Sequence, residues 1–122
     1  MVSASPQPLH VDTVAGLGPV LMRVCGDLDM DTAPSLQTML EPFLAQRVEM
    51  DLANVTFIDS SGVNVLLSHL EQCRAAGGVL VVLQPSRPVQ QVLQLLGVHR
   101  LLMDRPRTEG GQDPGGDFPG PY

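Results

Sequence analysis

The sequence predicts an α/β domain built on a mixed, mostly parallel sheet of about five strands, with helices after strands 2, 3 and 4. Three observations carry this. Short apolar runs suited to strands alternate with segments whose apolar residues recur at helical spacing, in the order ββαβαβαβ. Glycine, proline and small polar residues fall at nearly every junction between them. The chain's 122 residues are one domain's worth, enough to bury roughly two-thirds of the unfolded surface without a disulfide or a metal.

Taken in order, residues 1–8 are polar and proline-broken, and a flexible N-terminus is expected there. "LHVDTVA" alternates as a first strand, "GLGP" turns the chain, and "VLMRVCG" completes a hairpin. After "DLDMD", Thr32 is placed to cap a helix whose stripe is Ala33, Leu36, Met39, Leu40, Phe43 and Leu44, with Pro34 tolerated in the first turn. "VEMDLANVTFI" is a third strand with Val48, Met50 and Leu52 on one face, ending at Asp59. Helical spacing returns from Ser60 through Val63, Leu66, Leu67, Leu70 and Cys73, until "AAGG" ends the helix near Gly77. "VLVVLQP" is apolar on both faces, as befits a central strand covered by helices. Ser86 then caps a helix through Val89, Val92, Leu93 and Leu96, stopped by Gly97, before a last strand around "RLLM". Because each helix from strand 2 onward is a crossover, those strands should be parallel. The folded domain is expected over 9–103. Residues 104–122, "DRPRTEGGQDPGGDFPGPY", contain no Val, Ile, Leu or Met, too little apolar surface to offset the entropy of ordering them, so a disordered tail is expected.

Composition excludes several partner classes. Seven Lys and Arg against thirteen Asp and Glu give a formal charge of −6, whereas a nucleic-acid surface needs clustered bases to neutralise phosphates. With three Phe, one Tyr and no Trp, a base-stacking platform is also unsupported. No run approaches the roughly 18 apolar residues of a membrane span, and "MVSASPQPLHV" lacks the basic start and apolar centre of a secretory signal. A cytoplasmic protein that binds neither nucleic acid nor membrane is expected. Cys25 and Cys73 lie in unlike contexts without ligand spacing and read as free, buried thiols.

At a parallel sheet of this kind, functional groups gather at the carboxyl ends of the strands. Three loops share that edge: "CGDLDMDT", "FIDSSG" and "LQPSRP". Asp27, Asp29, Asp59, Ser60 and Ser61 should therefore converge. Ser60 suits the N-cap of a helix beginning at Ser61, which is worth about 1 kcal/mol. Capping leaves Ser61 and Gly62 unexplained, and a helix start stripped of bulk also suits approach by another molecule's active site, so the hydroxyls are candidates for modification. Catalysis by this chain itself is not expected. His69 stands nine positions beyond Ser60, roughly 13 Å along a helix, too far to activate a hydroxyl. His10, His69 and His99 have no ligand spacing and read as surface or strand-end residues. The aspartates at 27, 29 and 31 resemble the start of a calcium loop but lack its glycine and closing glutamate. Neither metal nor cofactor is expected.

The segments "VLMRVCGDLDMDTAPSL", "MDLANVTFIDSSGVNVLLSHL", "GGVLVVLQPSRPVQQVLQLLGV" and "RLLM" together resemble a STAS domain, and specifically the bacterial anti-sigma factor antagonists. "FIDSSG" is the most specific element, with "GDLD" in support. The resemblance implies that Ser60, the first serine after the aspartate, is phosphorylated by an anti-sigma factor that is also a serine kinase. It further implies that the unphosphorylated form binds that kinase and frees the sigma factor, that phosphorylation ends the binding, and that a serine phosphatase resets the protein. Asp27, Asp29, Asp59, Ser61, Gly62 and Val63 are the implied docking surface. By pattern alone Ser60 and Ser61 are indistinguishable, and only the resemblance selects Ser60. STAS domains also serve as scaffolds in stress-signalling complexes and as parts of lipid- or anion-transport machines, and such a role without a switch is the alternative.

Overall fold

The computed structural model describes residues 7–103. Its sheet has four strands, β1 (His10–Val14), β2 (Val20–Leu28), β3 (Arg47–Ile58) and β4 (Val79–Leu83), in the spatial order β1-β2-β3-β4. β1 pairs with β2 antiparallel, and β2 with β3 and β3 with β4 parallel. Helices α1 (Ala33–Leu40) and α2 (Ser60–Ala76) follow β2 and β3 and lie side by side, while α3 (Arg87–Leu95) packs on β3. This is the mixed, mostly parallel α/β architecture that the alternating pattern predicts. The expected tail, 104–122, and residues 1–6 lie outside the described residues. Gln7 and Pro8, within the stretch expected to be flexible, are held against β2 (below).

The fifth strand is corrected. "RLLM" belongs to a short helix, α4 (His99–Met103), and no fifth strand exists among the described residues. α4 packs on β4 and α2, burying Leu102 completely while Leu101 stays half exposed. A four-residue apolar run does not distinguish the two structures by pattern.

The core forms because the register stacks apolar residues in rows across the sheet. Val20 aligns with Val48 and Leu80, and Met22 with Met50 and Val82. All six are buried, together with Leu36 and Leu40 of α1 and Val63, Leu66, Leu70 and Cys73 of α2. Each such side chain stabilises the fold by roughly 1.5–3 kcal/mol relative to leaving it in water. α1 is shorter than its sequence stripe, because Pro42 diverts the chain into a 3-10 turn over Glu41–Phe43. Phe43 and Leu44 are consequently only partly buried, and Met39, within α1, is 41% exposed. Both cysteines are free; burial raises the pKa of the Cys73 thiol, and Cys25 is only half buried.

β3 breaks simple alternation in a way that shapes the site. Its buried residues are Val48, Met50, Leu52, Val55 and Ile58, with spacings of two, two, three and three. Between Arg23 and Cys25, and again between Gly26 and Asp27, the register with β2 shifts, each time placing one extra residue on β3. Such bulges leave a residue unpaired and turn the strand. Thr56 is one of the extras.

Candidate functional site

β2 runs on through Leu28, so Asp27 stands on the strand itself and only Asp29 onward forms the loop. The pairs Asp27 with Phe57 and Leu28 with Ile58 bring the two strand ends together, and the Asp59 amide donates to the Leu28 carbonyl at 3.2 Å. Asp27, Asp29, Asp59, Ser60 and Ser61 thus sit at one edge of the sheet, as the topology requires.

Each aspartate first serves the fold. The Asp27 carboxylate accepts from the Thr56 hydroxyl at 2.6 Å and from the Gln7 amide at 3.0 Å, while the Asp27 amide donates to the Gln7 carbonyl at 3.1 Å. It therefore ties the N-terminal segment to the bulge of β3. Gly26, beside it, has φ +97° and lies under that segment so closely that a Cβ would collide with the Pro8 carbonyl oxygen. Asp29 accepts from the amides of Asp31 and Thr32 at 2.9 and 3.1 Å. Thr32 does not cap α1 as its position suggests: its φ/ψ are helical, and its hydroxyl donates to the Asp27 carbonyl at 2.9 Å.

The N-cap of α2 is Asp59, not Ser60. Its backbone is extended, and one carboxylate oxygen accepts from the amides of Ser61 at 2.8 Å and Gly62 at 3.2 Å. Asp and Ser are about equally good caps, so "DSS" leaves the choice open, and the first of the two takes it here. Ser60 becomes the first helical residue, and it is exposed. Ser61 is half buried and lines a groove of about 390 Å³ between α1 and α2, with Met30, Ala33, Pro34, Asn64 and Val65. The two hydroxyls that the pattern could not separate are thus distinct in space. Asp59→Ala is expected to cost about 1–2 kcal/mol in urea unfolding, because two first-turn amides lose their acceptor.

Gly62 and Val63 are placed differently from the docking surface implied for them. Val63 is 1% exposed. Gly62 is buried, and a Cβ on it would stand 2.6 Å from the Leu28 carbonyl oxygen and 2.8 Å from its Cγ. The glycine lets α2 touch the end of β2, and packing rather than access explains its place in "DSSG".

Among the described residues, no cation pairs with the charge at this edge. The ion pairs among the described residues are His10–Asp12, Arg23–Asp51 and Arg47–Glu49, and none involves Asp27, Asp29 or Asp59. Exposed apolar side chains stand nearby, Met30 at 70% and Phe57 at 49%. Such an edge offers a protein partner an acidic, partly apolar surface with one free hydroxyl at the start of a helix. The described residues contain no cluster of three metal-ligating side chains and no helix long and apolar enough to cross a membrane. His69, expected at the surface, is instead 5% exposed on the core side of α2. Pattern reading missed this, although its spacing of three and four from Leu66 and Cys73 puts it on the apolar stripe.

Comparison with known proteins agrees with this architecture. A family model for the STAS domain matches residues 10–109. An anti-sigma F factor antagonist of Paenibacillus polymyxa is 26% identical over 98 residues, covering 77% of this chain and 84% of the relative. The structure of the anti-sigma factor antagonist SpoIIAA in its unphosphorylated form superposes with a TM-score of 0.65 at 22% identity, over 84% of this chain and 90% of that one. The Bacillus cell fate determinant SpoIIAA in its phosphorylated form gives 0.61 at 21% identity, over 84% and 93%. At these identities the solved structures speak for the fold.

Proposed function

We propose that this chain, which belongs to the STAS domain family, is an anti-sigma factor antagonist whose docking to its partner is switched by phosphorylation of Ser60. The partner is an anti-sigma factor with serine kinase activity. Unmodified protein binds it and releases the sigma factor; the phosphorylated form does not bind, and a serine phosphatase restores the first state. These events take place in the cytoplasm, within a domain bounded at about residues 9 and 103.

One observation carries the reading: at the start of α2 the Ser60 side chain is exposed while Ser61 is half buried against α1. A kinase can reach the first without displacing packing. The Ser61 and Gly62 amides are already taken by Asp59, so a phosphate on Ser60 projects outward from the helix end rather than binding into it. The positive end of the helix dipole still favours the added charge, and the fold should tolerate it. Outside, the phosphate adds about −1.5 to −2 charge to an edge that already carries Asp27, Asp29 and Asp59.

The test is incubation with a serine kinase anti-sigma factor from the same genome and ATP, read by intact mass. One added phosphate, absent from Ser60→Ala and assigned to Ser60 by fragment ions between the two serines, is the expected result. Labelling that persists in Ser60→Ala would reassign the site to Ser61. No labelling by any such kinase would favour a scaffold or transport-complex role.

A further inference from the structure

His69 is the buried polar residue of the described core. Its Nε2 atom is fully enclosed, and no described group offers it a hydrogen bond. An unpaired buried nitrogen costs free energy, and a charged one costs more. The ring lines a cavity of about 10 Å³ between α2 and the α1 segment, with Gln37, Leu40, Glu41, Leu44 and Gln72, which is on the order of one water molecule. Gln37, Val65 and Ser68 line both this cavity and the groove beside Ser61. The imidazole therefore stands at the seam where α1 meets α2, next to the groove that Ser61 lines.

We propose that His69 makes the α1–α2 seam proton-sensitive: protonation of its ring loosens the packing of α1 on α2 and opens the groove that Ser61 lines. Glu41, from the 3-10 turn, is the carboxylate that faces the cavity; α1 contributes only the neutral Gln37 and Leu40. On α2 itself, Ser68 and Gln72 are neutral, and burial disfavours ionisation of the Cys73 thiol. Burial of His69 lowers its pKa below the ordinary 6.5, and no charge partner offsets the effect. Between that lowered value and 6.5 the unfolded chain binds more protons than the folded one. Stability is then full above about pH 6.5 and is lost as pH falls through that window. The inference stands on the seam alone and does not depend on the partner proposed above.

The experiment is urea unfolding from pH 8.0 to 5.0 on the wild type, His69→Gln and His10→Gln, together with a proton NMR titration of the histidine rings and amide exchange. The wild-type folded-to-unfolded ratio should fall by up to tenfold per pH unit below about pH 6.5. His69→Gln should lose that component of the slope, and His10→Gln should keep it. Exchange should accelerate first in α1 and the facing turns of α2. A His69 ring that titrates at its ordinary value in the folded protein, an unchanged slope in His69→Gln, or uniform acceleration of exchange would each overturn the proposal. Should His69→Gln fail to fold, the wild-type ring titration and exchange pattern decide it alone.

Discussion

Gly62→Ala is expected to destabilise the protein by about 2 kcal/mol, with unfolding moved to lower urea at an unchanged slope. Two effects oppose each other. Alanine favours a helix over glycine by roughly 1 kcal/mol, so an exposed Gly62 would gain stability from the change. Here the new Cβ would meet the Leu28 carbonyl oxygen at 2.6 Å and the Ile58 Cγ1 at 2.9 Å. A side chain can rotate away, but the carbonyl is backbone, and it also accepts the Asp59 amide. Overpacking of this kind costs about 1–3 kcal/mol, and an obstacle fixed in the sheet puts it at the upper end. A variant as stable as the wild type, or more so, would mean that α2 does not touch β2 in solution as described.

Ser60→Asp is expected to weaken binding to the partner kinase about a hundredfold while leaving the melting temperature nearly unchanged. The substitution places a carboxylate on an exposed helix start, where negative charge is favoured by the dipole. Repulsion from Asp59, Asp27 and Asp29 opposes it, but on a solvent-exposed edge that cost is small. A docked partner would meet this charge beside Asp27, Asp29 and Asp59, and like-charge juxtaposition in an interface costs up to several kcal/mol. About 2.8 kcal/mol corresponds to a hundredfold in Kd. Ser60→Ala serves as the control, since it removes the hydroxyl without adding charge and should bind like the wild type. Equal affinity of the Asp and Ala variants would show that charge is not what separates the two states.

The elements legible in the sequence are those with a strong period and clear punctuation. α2 announces itself by the stripe from Val63 to Cys73 and by Gly77, which caps it in the left-handed conformation at φ +85°. α3 is likewise capped by Ser86, whose hydroxyl accepts from the Val89 amide. Elsewhere tertiary pairing overrides local pattern. β2 extends past Gly26 through Asp27 and Leu28, although Asp has poor strand propensity, because β3 supplies partners for them. In β3 the first bulge brings Val55 to the core, which strict alternation after Leu52 does not anticipate, and the second restores the original parity at Ile58. The juxtaposition at this edge is readable from the sequence, since topology alone unites Asp27 with Asp59 across some thirty positions. The division of labour there is not, because whether Asp59 or Ser60 caps α2, and whether Gly62 serves access or packing, depends on atoms brought in by β2.

The account rests on a modification that changes docking and leaves the fold intact. The most direct measurement takes one preparation of the protein, phosphorylates part of it enzymatically, and compares both portions for kinase affinity by calorimetry and for thermal unfolding by circular dichroism. Tight binding by the unmodified portion, none detectable for the phosphorylated one, and coincident melting curves are predicted. Equal affinity of the two portions would contradict the account, and so would a phosphorylated form that loses binding only because it unfolds.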